Sequence, residues 1–182
     1  MADYKSTSID GVDDIQDQAG NERLETILGT EIDTSTGAVL YDVTGIPPGI
    51  KEIKIMVVGA STNGISGYLI QLGNAGGIEI TDYVGGSAGD GSANRDANSA
   101  GFRLSDNALA AEVAQISCVL SLENSSTFTW NQIGFLNAGG NAENWYSVGN
   151  KSLSAILDRI RFTTVGGTNT FDDGVLNIQM RF

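Results

Sequence analysis

The side chains best able to do chemistry in this chain are carboxylates, and they gather in two places. Asp10, Asp13, Asp14 and Asp17 fall in one short polar run, and Asp172 and Asp173 adjoin Gly174. Oxygen clusters suit hard cations, but the first run lacks the alternating acids and distal Glu of an EF-hand loop. Glycoside hydrolysis needs two carboxylates across a cleft, one of them in an apolar setting that raises its pKa. No acid here stands in such a run. Histidine is absent and Cys118 is the single cysteine. A thiol with no imidazole to activate it, inside the apolar stretch 114–122, reads as a small buried hydrophobe. One cysteine forms no internal disulfide, and zinc takes several Cys or His ligands. The run GGSAGDG at 85–91 lacks the Gly-Lys-Ser/Thr ending of a phosphate loop. The expectation is a protein that is not an enzyme and holds no cofactor or metal. Binding chemistry is the better prospect, because Trp130, Trp145 and Tyr146 carry rings that can stack on a sugar. Trp130 lies in an alternating stretch and reads as core, whereas Trp145 follows a glycine-bearing loop and fits either reading.

Charge narrows the partners. The 182 residues carry 22 acids against 10 bases, a net charge of −12. Such a chain is repelled by nucleic-acid phosphates and by anionic membranes, and it stays soluble at high local concentration. No window approaches the roughly 18 apolar residues of a membrane span. MADYKSTSIDGVDD shows no charged-then-apolar signal pattern, so assembly in the cytoplasm is expected.

The elements that must position these groups are strands. There are 24 glycines and 2 prolines, a balance that favours tight turns. Residues 38–44, 51–59, 68–72, 78–84, 102–104, 115–122, 127–136, 152–163 and 175–182 read as strands by alternation and β-branched content. Residues 45–49 (GIPPG) and 73–77 (GNAGG) read as turns. Residues 85–101 contain no large apolar side chain and read as an exposed loop, and 137–144 as a second. A helix at 106–114 is an alternative for one short stretch. Strands at short spacing without a long amphipathic helix predict an all-β antiparallel sandwich, jelly-roll-like, over 37–182.

Residues 1–36 differ. They are polar and acidic, with sparse apolar anchors at Tyr4, Ile9, Val12, Ile15, Leu24, Ile27 and Leu28. Ile9 and Val12 stand at roughly helical spacing, and Asn21, Glu22 and Glu25 could start a short helix through Leu28. The segment reads as an extended N-terminal arm that docks on something, or as a disordered terminus.

The closing stretch LDRIRFTTVGGTNTFDDGVLNI, with VTGIPPGIKEIKIMVVGAST and YLIQLGNAGGIEITDY before it, resembles the C-terminal β-domain of small bacteriophage virion proteins. The resemblance spans about residues 38–182 and leaves the arm outside. It implies a non-enzymatic, homotrimeric virion structural protein of tail-fibre or receptor-binding type. The arm would then dock on a tail adapter or on the major capsid protein. Loops 85–101 and 137–144 would form distal tips facing a host surface glycan, through Asp90, Asn94, Arg95, Asn141, Trp145 and Tyr146. Two other readings stay open: a capsid decoration protein of the same fold, and a stand-alone carbohydrate-binding module. In the closing strands, Arg159 and Arg161 are placed to reach acids on a neighbouring strand or to pair subunits across a symmetry axis.

Overall fold

A computed structural model describes residues 6–9, 12–15, 26–89, 95–97, 99–106, 109–110, 112–139 and 143–182; for 6–9, 12–15 and 95–97 it describes backbone pairing alone. The described residues are all-β. In chain order the strands are β1 (Ser6–Ile9), β2 (Val12–Ile15), β3 (Thr26–Leu28), β4 (Ile32–Asp33), β5 (Leu40–Thr44), β6 (Glu52–Thr62), β7 (Tyr68–Asn74) and β8 (Gly77–Ile78). They continue with β9 (Val84–Gly89), β10 (Arg95–Ala97), β11 (Phe102–Arg103), β12 (Val113–Asn124), β13 (Thr129–Gly139), β14 (Glu143–Ser152), β15 (Arg159–Thr164) and β16 (Phe171–Arg181).

Two antiparallel sheets form a β-sandwich. The large sheet has nine strands in the order β10-β9-β14-β13-β12-β6-β16-β3, with β4 also on β16. The small sheet has five, ordered β11-β7-β15-β5 with β8 on β7. Among the described residues β1 and β2 pair only with each other.

Period-two alternation decides what faces inward. On β6, Ile53, Ile55 and Val57 are buried, and on β16 Leu176, Ile178 and Met180 are. The sheets meet through aromatic rings. Phe171 of β16 packs against Phe162 of β15 at 4.9 Å between centroids, against Tyr41 of β5 at 5.5 Å and against Tyr68 of β7 at 6.1 Å. Tyr68 and Phe162 stack at 5.7 Å. The Tyr68 hydroxyl donates to the Ala60 carbonyl across the core, and Tyr41 donates to Thr34. These rings therefore add polar cross-links to a large apolar contact.

Several expectations need correction. The stretch expected as an exposed loop at 85–101 supplies β9, which pairs along β14 from Val84↔Asn150 to Gly89↔Trp145. Its small residues are required there, because a side-chain carbon on Gly89 would lie 2.8 Å from the Trp145 ring. Lack of apolar bulk thus marks a strand under a tryptophan. The loop at 137–144 is likewise mostly strand, since Asn137 pairs with Asn144 and Ala138 with Glu143. No described residue is helical: Thr26–Leu28 is β3 on β16, Val113 already belongs to β12, and Ile9 and Val12 pair across the β1–β2 hairpin. The strand expected from 152 begins only at Arg159, with Leu157 buried before it and Ile156 exposed. Residues 26–33, counted with the arm, extend the large sheet through β3 and β4. Gly174, at φ 102°, sits where β16 shifts register against β6, and a side-chain carbon there would lie 2.7 Å from Ala60.

Phe171→Ala would empty the junction of both sheets. The expected loss is about 3–5 kcal/mol in chemical denaturation. A loss below about 1 kcal/mol would show that these rings do not join the layers.

Candidate functional site

The most unusual surface is the outer face of the large sheet. β13 turns Trp130, Gln132, Leu136 and Ala138 inward, and its alternate residues Asn131, Ile133, Phe135 and Asn137 outward. Phe135 is 54% exposed and Ile133 56%. The ladder brings similar side chains beside them. Ile133 pairs with Val148 of β14 and Val119 of β12, and Phe135 pairs with Tyr146 of β14 and Ser117 of β12. The Phe135 and Tyr146 rings meet edge to face at 5.7 Å. On β6, Met56 and Val58 continue the strip opposite Ser117 and Gln115. An open hollow of about 560 Å³ lies over Lys54, Met56, Phe135, Asn137 and Tyr146.

Amides and hydroxyls edge this strip: Asn131, Asn150, Ser121 and Gln115 lie in the flanking cross-strand rows. Carboxylates are scarce on it. Glu52 is held by Arg181 across β6 and β16 at 3.2 Å, and Lys54 lies two residues further along β6.

The sequence-derived candidates are distributed unevenly. Tyr146 is exposed on this face. Trp145 is not: it is 2% exposed, because its position on β14 points it into the core against Gly89. The expectation that Trp145 faces a receptor is corrected accordingly. Trp130 is core, as expected. Arg95 lies on β10 and pairs with Ala88 of β9, while Asp90, Asn94 and Asn141 lie outside the described residues, as do Tyr4 and Leu24. Ile9, Val12 and Ile15 lie in the β1–β2 hairpin, whose side chains are not described. Ile27 packs against the core and Leu28 is exposed on β3. Arg161 reaches Asp42 of β5 through two hydrogen bonds of 2.7 and 2.8 Å, and Arg159 is paired with its neighbour Asp158. Among the described residues no group of three or more His, Cys, Asp or Glu is placed to hold a metal ion.

The outward residues Ile133, Phe135 and Val148 were missed as a site. A signal was present: β13 is apolar on both alternating faces, which is the pattern of a strand covered on both sides.

Two buried polar clusters are structural. Lys151, 3% exposed, meets Glu79 at 2.7 Å and lies over the Tyr83 ring at 5.5 Å. Ser154 donates to Glu79 from both its N–H and its hydroxyl, and the Asn74 amide donates as well. Burial pushes the Glu79 carboxyl up, but the Lys151 and Ser154 bonds outweigh it and hold it below its ordinary 4.5. The second cluster joins Gln132 to Ser147 at 2.8 Å and to Cys118 at 3.4 Å. Burial pushes the Cys118 thiol up to about 12, so it stays protonated and unreactive at neutral pH. At one end of the sandwich, Ile46, Ile50, Leu122, Phe128, Trp130 and Leu157 line an apolar pocket of about 160 Å³. Its lining carries no ionisable side chain and supplies neither acid nor base.

No protein-family model and no curated protein matches this chain.

The Glu79 pair gives a pH signature with a definite sign. A depressed carboxyl stabilises the fold fully above its unfolded pKa, near 4.5, and that contribution is lost as pH falls through the folded value. Glu79→Gln leaves Lys151 buried without its partner, at a cost of about 3 kcal/mol at neutral pH. Denaturation midpoints taken across pH should fall more steeply below 4.5 for the native chain than for Glu79→Gln. Parallel curves would contradict this reading.

Proposed function

We propose that this chain is a structural, non-enzymatic component of a bacteriophage particle, of tail-fibre or receptor-binding type, acting as a homotrimer. The observation that supports it most is the outer face of the large sheet. A chain with net charge −12 keeps a broad strip of its surface apolar and nearly free of carboxylates. Surfaces of that kind are suited to being covered in an assembly. The resemblance of the closing strands to phage virion β-domains points the same way.

The fold is read as a jelly-roll-like variant of the sandwich. Its support is the chain's repeated crossing between layers: β5, β7, β11 and β15 lie in the small sheet, and β6, β9, β12 and β16 in the large one. Residues 1–25, which precede β3, are left to act as the docking arm toward a tail adapter or the major capsid protein. The stand-alone carbohydrate-binding reading is weaker, because Trp145 and Trp130 are both buried and offer no stacking face. Capsid decoration uses the same features, and only position in the particle separates it from the fibre reading.

Quantitative mass spectrometry of purified particles, scaled to the major capsid protein, tests the proposal. The fibre reading expects a few tens of copies per particle. Hundreds would move the chain to the head as a decoration protein, and absence from purified particles would overturn the virion reading.

A further inference from the structure

We propose that copies of this chain meet each other through the outer face of the large sheet, with Ile133, Phe135, Tyr146 and Val148 at the centre of the contact. This rests on the reading of the chain as an assembly protein and adds which surface is used and what covers it.

Size is the first argument. From β9 to β6 the strip crosses five strands, about 19 Å at roughly 4.8 Å per strand, and it runs about 20 Å along residues 131–137. That is roughly 400 Å², half of the ~800 Å² that a stable interface takes from each partner, with the apolar side chains in the 133 and 135 rows and the amides in the 131 and 137 rows. It gives an apolar centre within a polar rim, of the size of a weak, reversible contact.

The rim identifies the partner as a second copy. Asn131, Asn150, Asn137 and Gln115 carry amides, which donate and accept equally. An amide row can therefore meet the amides of another copy whichever way the two are turned, whereas a row of one charge would repel itself. Electrostatics agrees. Two chains of net charge −12 repel each other over most of their surfaces. On this strip the carboxylate present, Glu52, is already neutralised by Arg181. Among the described residues Lys54 makes no salt bridge, and it is available to the acid-rich surface of the other copy.

A glycan is the competing occupant, and the geometry disfavours it. Phe135 and Tyr146 stand at 87° to each other, so they form no common platform for a sugar ring. Ile133, Val148 and Val58 extend the surface with aliphatic groups that a polar sugar does not need.

Sedimentation velocity on the full chain across the micromolar range tests the proposal, beside Phe135→Asp and a control, Ile80→Asp. Phe135 and Ile80 are both exposed, so neither change disturbs the core, and thermal unfolding checks this. The expected result is an associated native chain, association weakened at least about 30-fold by Phe135→Asp, and no change with Ile80→Asp. Association that survives Phe135→Asp in a folded protein overturns the proposed face while leaving homotrimer formation intact. A native chain that stays monomeric overturns the inference and the homotrimer together, with copy number in particles still deciding the virion reading separately. A monomer whose Tyr146 ring resonances shift with maltotriose assigns the face to a glycan and overturns it as well.

Discussion

The contact on which the molecule depends is the meeting of Phe171 with Phe162, Tyr68 and Tyr41. It joins the last strand of the large sheet to three strands of the small one. Once these rings are buried, the register of β16 is set, and with it the orientation of every strand hydrogen-bonded in series beyond it. A slip of one residue would exchange the faces. In β16 it would turn Ile178 out to water and bring Asn177 in, setting the polar side chain against Ile55 of β6. The aromatic junction thus defines an inside, and by the same step it defines the outside on which Ile133, Phe135 and Tyr146 stand.

Polar groups sharpen that choice. Gln132 cannot leave its place beside Ser147 and Cys118 without losing its bonds, and Lys151 cannot turn outward without leaving Glu79. A satisfied buried network of this sort is costly to rearrange, so it favours a single register. The outer face is left without comparable internal partners. The proposed contact between copies gives its apolar strip the second covering layer that the inner face receives from the small sheet.

The all-β class and the inward faces of β6 and β16 were legible because alternation is a local property of the chain. That Arg161 stands where it can reach an acid on a neighbouring strand was legible for the same reason, but that the acid is Asp42 follows only from the pairing of β15 with β5. β9 was not. Its Gly-Gly-Ser-Ala-Gly run has no strand propensity, and its place is dictated by Trp145, far away in the chain. The burial of Trp145 was equally hidden, since a glycine loop before it says nothing about which way β14 faces. The candidate face was half visible. The double apolar pattern of β13 could be read from Trp130, Ile133, Phe135 and Leu136, but the neighbours Val148, Tyr146 and Val58 come from strands that only the sheet order brings together.

The most direct test of the central claim is thiol labelling at Ile133→Cys. The native thiol, Cys118, is buried and protonated, so it contributes little background. Alkylation rates should fall as protein concentration rises and copies cover the new thiol, while Ile80→Cys, exposed outside the sheet, labels at a constant rate. Equal and concentration-independent rates at the two positions would contradict the account, because the outer face would then remain open to solvent.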